Sequence, residues 1–155
     1  NDQLSFKDNV YVNSIIPEKL RVRKGDILVC VRNGSRRLIG KCAKIDERCE
    51  GETFGAFMSV YRSQLNDFIS HAFKSYSIEK QIEENLGATI NQITNGTLNS
   101  FKVWLPVDGK ERIEIVKVLD EMDAEIVQYQ EKKSKYQLIK QGMMQELLTG
   151  KTRLV

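Results

Sequence analysis

The sequence offers few side chains that could carry out catalysis. His71 is the single histidine, and it stands among apolar residues in a helical pattern with no nucleophile and base legible around it. Cys42, Cys49 and His71 contain zinc-ligating atoms, but their spacing matches no common zinc motif, and Cys30 forms no Cys-x-x-Cys pair with them. We therefore predict that the chain is not an enzyme and that it binds no metal and no cofactor.

Basic side chains are the more distinctive chemical group. Residues 19–44 contain nine lysines and arginines but a single acid, Asp26, although the whole chain has a net charge of only +3. Such an excess is typical either of a solvated face or of a surface that binds a polyanion such as nucleic acid. The charge pattern by itself leaves both interpretations open.

Short β-prone segments surround the basic residues. Runs of β-branched and aromatic residues bounded by turn formers predict strands at 10–12, 27–31, 38–45 and 56–61. Between the second and third runs, Asn33-Gly34 predicts a tight hairpin turn, since both residues tolerate positive φ. The residues at or beside the tip of this hairpin are Arg32, Asn33, Gly34, Ser35, Arg36 and Arg37.

The apolar spacing changes after residue 64. It predicts two short helices, one with an apolar face from Leu65 to Tyr76 and one from Ile78 to Leu86. Alternation over residues 101–105 then predicts a closing strand before a proline. This mixture of short strands and helices indicates an α+β domain over residues 1–108.

A single long helix is predicted over residues 109–155. Asp108 and Glu111 have the spacing of a capping box, and Gly150 suits the helix end, which gives a length of about 60 Å. Alternate steps of four and three residues describe an apolar seam typical of a coiled coil. The seam contains Ile115, Leu119, Met122, Ile126, Tyr129, Tyr136, Met143 and Leu147, with Lys133 and Lys140 at two further positions. The length argues against the alternative, a helix folded back over its own domain.

The apolar runs also bear on location. None approaches the roughly 20 residues that a membrane-spanning helix needs, and the first twelve residues do not have the pattern of a signal peptide. We expect a cytoplasmic protein with no membrane partner.

Several stretches of the sequence occur in the order used by one known family. Residues 20–45 read LRVRKGDILVCVRNGSRRLIGKCAKI, GAFMSVYRS begins at Gly55, LPVDGKERIEIVKVLDEMDAEI begins at Leu105, and LIKQGMMQELLTGKTRLV begins at Leu138. They resemble the target-recognition domain and the conserved helical region of specificity (S) subunits of type I restriction-modification systems. The chain departs from that family at 107–109, where a second proline and a Glu-Gln pair are more common.

The resemblance implies a division of labour in which this chain does no chemistry. The domain would read one half of a bipartite site in double-stranded DNA. The long helix would pair in antiparallel fashion with that of a second half-subunit or a second copy. The adenine methyltransferase (M) and restriction (R) subunits would be further partners. A complete recognition domain of this family also has additional strands before the equivalent of Asn1.

The same resemblance suggests roles for the polar residues. Arginine can donate two hydrogen bonds to guanine and asparagine can pair with adenine, while lysine suits phosphate contacts. The predicted DNA-binding residues are Arg32, Asn33, Gly34, Ser35, Arg36, Arg37, Lys41, Lys44, Thr89, Asn91 and Gln92. Bracing the turn is the alternative role for Arg32, and ordinary loop structure is the alternative for the last three.

Two other functions stay open on sequence alone. The first is a coiled-coil interaction protein that binds no DNA and whose basic domain contacts an acidic protein. The second is a small nuclease, which would require a cluster of metal-binding carboxylates that the sequence does not identify.

Overall fold

Two units make up the chain. The structure is a computed structural model that describes Leu4, Phe6 and residues 9–87 and 91–154. It divides into Asn1–Ile113, which contains a small sheet and short helices, and Glu114–Val155, which contains most of one long helix. This arrangement confirms the predicted α+β class. The long helix starts at Gly109, directly after the predicted boundary, and the division between the two units falls five residues later, after Ile113, so the boundary at 108/109 stays a prediction.

The sheet has three antiparallel strands in the order β2-β1-β3. The strands are β1 (Ile27–Cys30), β2 (Cys42–Lys44) and β3 (Met58–Tyr61). Ile27 pairs with Lys44 on one side and with Tyr61 on the other, so β1 is the central strand. Ile27 and Val29 are fully buried in the core, as expected for apolar residues of a central strand. Three of the predicted strands are therefore present in the predicted order. Of these, β2 is much shorter than the predicted run 38–45.

Helices complete the core of the first unit. They are α1 (Asn66–Phe73), α2 (Tyr76–Asn85) and α3 (Asn95–Ser100). The buried residues of the sheet, the loops and these helices form one cluster, which contains Ile27, Val29, Val31, Ile39, Cys42, Ile69, Phe73, Ile78, Ile82, Leu86, Ile93 and Leu98. Both predicted helices are confirmed. The sequence did not predict α3, because Leu98 is its one buried residue and the rest of the helix is polar.

Two predicted β features nearer the N-terminus are wrong. Residues 10–12 are exposed chain and not a strand, because a β-prone run becomes a strand only beside a partner. Asn33-Gly34 forms no tight turn, since β1 and β2 are joined by the long loop 31–41. Positive φ occurs instead at Gly40, where it is +83°.

The predicted strand at 101–105 is also wrong. Its alternation does place Phe101 and Val103 against the core, which explains the pattern. The hydrogen bonds of Lys102, however, go to a side chain. Its N–H donates to Oε1 of Gln81 at 2.8 Å, and its carbonyl accepts from Nε2 of Gln81 at 2.9 Å. A side-chain amide of α2 therefore takes the place that a neighbouring strand would occupy.

Gly40 ties the loop 31–41 to α2. A Cβ atom at this position would collide with Cδ1 of Ile82, a buried residue of α2. The N–H of Gly40 also donates to the carbonyl of Cys30 at 2.8 Å. Because glycine alone combines a positive φ with so close an approach, the end of the loop enters β2 in one defined direction.

A buried carboxylate joins the ends of the strands. Asp26 is only 2% exposed and directly precedes β1. Its carboxylate accepts from the N–H of Arg23 at 2.7 Å and from Nε and Nη2 of Arg62 at 2.7 and 2.5 Å. Its carbonyl accepts from the N–H of Ile45, just after β2, at 2.7 Å. Since Arg62 directly follows β3, one residue holds neighbouring ends of all three strands.

The Arg62 guanidinium determines the ionisation of this carboxyl group. Burial acts to raise the pKa of Asp26, but hydrogen bonds from Arg62 and Arg23 outweigh it, so the pKa lies below its ordinary value of 3.8. The folded state therefore binds this proton less readily than the unfolded state. The resulting stabilisation is complete above the ordinary pKa and is lost as the pH falls through the lowered one.

We predict that Arg62→Leu lowers the free energy of unfolding by about 3 kcal/mol at pH 7, because it leaves a buried carboxylate without its cation. Urea denaturation followed by circular dichroism measures this change. The difference in unfolding free energy between wild type and variant should narrow when the measurement is repeated at pH 3, because this lies below the ordinary pKa of 3.8 and the unfolded chain then binds the proton.

Arg48→Leu is the matched control for this prediction. It removes an exposed arginine–aspartate pair, with Asp46, whose Nη2–Oδ2 distance is 2.5 Å, and it should change stability far less. The prediction would be contradicted if the two variants lose equal stability, or if the difference in unfolding free energy between wild type and Arg62→Leu is the same at low pH.

The long helix, α4, spans Gly109–Leu147. The carboxylate of Asp108 accepts from the N–H of Lys110 at 2.9 Å, which satisfies one of the free donors at the helix start. At the other end Gly150 has a φ of +70°, and the N–H of Thr152 donates to the carbonyl of Glu146 at 3.1 Å. The predicted start is confirmed, and the helix ends at Leu147, three residues before the glycine that was predicted to stop it.

Candidate nucleic-acid interface

The loop 31–41 carries the arginine-rich segment. Its middle forms a 3-10 helix, Arg36–Leu38, and its end is anchored in the core by Ile39 and Gly40. Before the 3-10 helix, the side-chain Oδ1 of Asn33 accepts from the N–H of Ser35 at 2.9 Å. This local bond gives Asn33 a turn-building role, and pairing with adenine would require the bond to open.

Two predicted DNA-binding segments lie side by side. Arg32 and Gln92 are partners in an isolated antiparallel β-bridge. The N–H of Asn33 donates to the carbonyl of Asn91 at 3.3 Å, and the side-chain amide of Asn91 donates to the carbonyl of Gly34 at 3.0 Å. Residues 31–37 and 91–92 thus form one surface.

Thr89, the other predicted member of this set, lies outside the described residues.

Phe57 belongs to the same surface and was missed by the sequence analysis. Its carbonyl accepts from the N–H groups of Val31 at 2.9 Å and Arg32 at 3.1 Å. The guanidinium carbon of Arg32 lies 5.7 Å from the centre of the Phe57 ring, a cation–π arrangement. Arg32 therefore packs on an aromatic ring, which differs from bracing a turn. The pair is 25 residues apart in sequence, and no local pattern indicated the contact.

The basic residues outside the loop are largely occupied by acids. Lys24 pairs with Glu47, and Lys44 pairs with Asp67 at 2.5 Å. Arg21 lies 3.8 Å from a carboxylate oxygen of Glu18 and also donates to a backbone carbonyl. These partners neutralise much of the excess positive charge that the sequence shows between residues 19 and 44.

The arginines of the loop form a different group. Arg32, Arg36 and Arg37 are exposed, and none of them forms an ion pair with any residue that the structure describes. Nη2 of Arg36 donates to the carbonyl of Glu83 on α2 at 3.3 Å, so this side chain also links the loop to a helix. Three arginines without an ion-pair partner among the described residues therefore lie on one loop, where the sequence predicted the base-reading residues.

A groove of about 560 Å³ opens beside this surface. Its lining includes Gln92, Asn95, Ser59, Lys19 and Arg62 together with apolar residues of the β3 region. The hydroxyl of Ser59 donates to Oδ1 of Asn95 at 2.9 Å, which links β3 to α3. The polar surface consequently extends from the arginine loop along the edge strand β3.

The seam of α4 is largely solvent-exposed. Half or more of the surface of each of these residues is exposed: Met122 (56%), Ile126 (50%), Tyr129 (67%), Tyr136 (60%) and Met143 (55%). Ile115, Leu119 and Leu147 are partly buried. An exposed apolar stripe of this length is typical of a surface that packs against a partner.

The residues considered for metal binding do not come together. Within residues 9–87 and 91–154, the structure contains no group of three or more histidine, cysteine or acidic side chains that could hold a metal ion. Cys30 and Cys42 are buried thiols that form no disulfide bond within the described residues, and burial raises the pKa of the Cys30 thiol. No helix of the described chain has the length and apolar character needed to cross a membrane.

Comparison with known proteins gives this surface a context. A family model for the type I restriction modification DNA specificity domain matches residues 9–137. The chain belongs to this family. The chain is 25% identical over 148 residues to the EcoKI specificity subunit of Escherichia coli strain K12 and 26% identical over 133 residues to the StySPI specificity subunit of Salmonella potsdam. It covers 30% and 28% of their lengths, so it spans less than a third of each.

Solved structures confirm the fold of the specificity domain. A type I R-M system, solved for its complex assembly and conformational transition, contains a chain with a TM-score of 0.66 and 18% identity. The HsdS subunit from Thermoanaerobacter tengcongensis gives a TM-score of 0.58 and 17% identity. These matches cover 86% and 84% of the present chain, and 35% and 34% of the other chains.

The distribution of ion pairs leads to a prediction for the specificity domain. Arg37→Ala should reduce the steepness of the slope of log retention on heparin against log salt by about one, because this guanidinium has no acidic partner among the described residues. Lys44→Ala should leave the slope near the wild-type value, since Asp67 already holds that ammonium group. Both variants remove one positive charge, so equal slopes in the two would indicate a general charge effect and no localised contact.

Proposed function

We propose that this chain reads one half of a bipartite DNA sequence as part of a type I specificity subunit. The observation that carries the proposal is the meeting of residues 31–37 with Gln92 on a surface whose three arginines have no acidic partner in the described chain. Family membership supplies the class of ligand, double-stranded DNA.

Phosphate and base contacts divide between two groups of residues in this proposal. Phosphate contacts position a protein on the duplex, and base-edge contacts provide specificity. Arg32, Arg37 and Gln92 are exposed and carry side chains suited to base edges. Lys41, the last residue of the loop 31–41, suits a contact with the phosphate backbone of DNA. Lys44 would first have to break its ion pair with Asp67.

The long helix has a separate role. We infer that the α4 seam pairs in antiparallel fashion with the helix of a second half-subunit or second copy, which would set the distance between two reading domains. A closed dimer of this kind places equivalent surfaces on inverted half-sites. M and R subunits would dock on the assembled subunit and carry out adenine methylation and cleavage. This chain would then contribute the DNA sequence specificity and no catalysis.

Methylation mapping tests the DNA-reading proposal. The chain is co-expressed with the adenine methyltransferase encoded beside it, the two are co-purified, and methylated positions in the host DNA are sequenced with and without the chain. We expect a discontinuous methylated motif that depends on the chain. If a complex forms but the methylated sites are the same without this chain, sequence reading is excluded and a structural interaction role is favoured.

A charge placed on the seam tests the pairing proposal. Ile126→Glu puts a carboxylate at the centre of the seam and should abolish self-association, because a buried unpaired charge strongly destabilises an apolar interface. Light scattering coupled to size exclusion measures the mass.

Leu138→Glu is the matched control, since Leu138 lies on α4 outside the seam and is 70% exposed. It should leave the mass unchanged. Loss of association in both variants, or in neither, would contradict the assignment of the seam.

A further inference from the structure

Phe57, Arg32 and Gln92 lie in a row across the candidate interface. The segment 31–33 has Phe57 along one edge and residues 91–93 along the other. On the first edge, one carbonyl of Phe57 accepts two backbone N–H groups. On the second, the N–H of Ile93 donates to the carbonyl of Val31 at 2.9 Å. Backbone hydrogen bonds therefore hold the segments that carry these three side chains in fixed positions relative to one another.

The bridge between Arg32 and Gln92 defines how far apart their side chains start. The flanking bonds run from the N–H of Ile93 to Val31 and from the N–H of Asn33 to Asn91, which makes Arg32 and Gln92 a non-hydrogen-bonded antiparallel pair. Such pairs have Cα atoms about 4.5 Å apart and side chains on the same face. This separation is close to the roughly 3.4 Å between successive bases along a strand.

The Phe57 ring limits the freedom of Arg32. Phe57 is 56% exposed, so its ring is not a core residue and remains available to the guanidinium above it. The guanidinium is planar by itself, and its fork of N–H donors suits a two-bond contact with a base edge. An aromatic ring beneath it restricts the orientations that this fork can adopt in the free protein, which reduces the entropy lost on binding.

We propose that Arg32 and Gln92 read two adjacent base pairs and that Phe57 is a positioning residue for Arg32. Arginine matches guanine O6 and N7, and the glutamine amide matches adenine N6 and N7. Phe57 acts through Arg32 and makes no base contact of its own. This inference rests on the proposed DNA-reading function and adds to it the bases and the residues concerned.

Selection from a randomised duplex library tests the inference. The full chain and each variant are incubated with the library, bound duplexes are sequenced, and melting temperatures verify that each variant is folded. Arg32→Lys keeps the charge but loses the planar fork, so it should reduce the preference at one guanine position by about 5- to 150-fold. Gln92→Ala should reduce the preference at the neighbouring position.

Two substitutions of Phe57 separate positioning from a purely structural role. Phe57→Leu removes the ring but keeps an apolar side chain, and it should weaken the preference at the Arg32 position by about two- to fivefold while leaving the Gln92 position unchanged. Phe57→Tyr retains the ring and should restore the wild-type preference.

The outcomes distinguish this inference from the proposed function. The positioning role would be overturned if the wild-type chain selects a motif and Phe57→Leu changes the base preference at both positions equally, or at neither. Separated positions for Arg32 and Gln92 would overturn the adjacent reading. If the folded wild-type chain enriches no sequence at all, the proposed function fails, and the inference that rests on it fails too.

Discussion

The carboxylate of Asp26 is the constraint on which the rest of the first unit depends. It is buried, it carries a charge, and the cost of removing that charge from water is offset by Arg62 and by the N–H of Arg23. Because these partners come from different segments, the carboxylate is satisfied only when the strand ends are together. The side-chain amide of Asn66 adds a bond to the carbonyl of Gly25 at 2.7 Å, which brings the start of α1 to the same point.

Because these bonds hold the strand ends at Asp26 together, the opposite end of the sheet can carry an exposed polar loop. The loop 31–41 leaves β1 at the end distant from Asp26, and it returns through Gly40, where close contact with Ile82 leaves no space for a side chain. Between these points, residues 32–37 have no large apolar side chain and are exposed, apart from the partly buried Asn33. Loops on a rigid scaffold are where binding residues concentrate, since their side chains can change without altering the core. The N–H of Arg32 donates to the carbonyl of Phe57 and the N–H of Asn33 donates to that of Asn91, so the start of this loop is held in place although it is not part of the sheet.

The elements that the sequence predicted correctly are those whose signals are local. The period of the apolar residues identified α1, α2 and α4, and the capping residue Asp108 marked the start of α4, because these signals arise within a few residues of chain. The strand at 101–105 failed for the opposite reason. Its alternation correctly indicated which residues are buried. Whether such an extended segment is a strand depends on its hydrogen-bond partner, and the partner of this segment is the side chain of Gln81.

Residue types and spacing were enough to predict the class of the fold, the long helix with its apolar seam, the basic segment and the family resemblance. Which charges are available, and which residues share a surface, could be seen only in the folded chain. Lys44 and Arg37 are equivalent in a composition count, yet one is paired with Asp67 and the other has no acidic partner among the described residues. The contact of Phe57 with Arg32 likewise joins segments that the chain keeps apart, and the physical reason is general: pairing of charges and rings is a property of distance in space, which a linear sequence does not record.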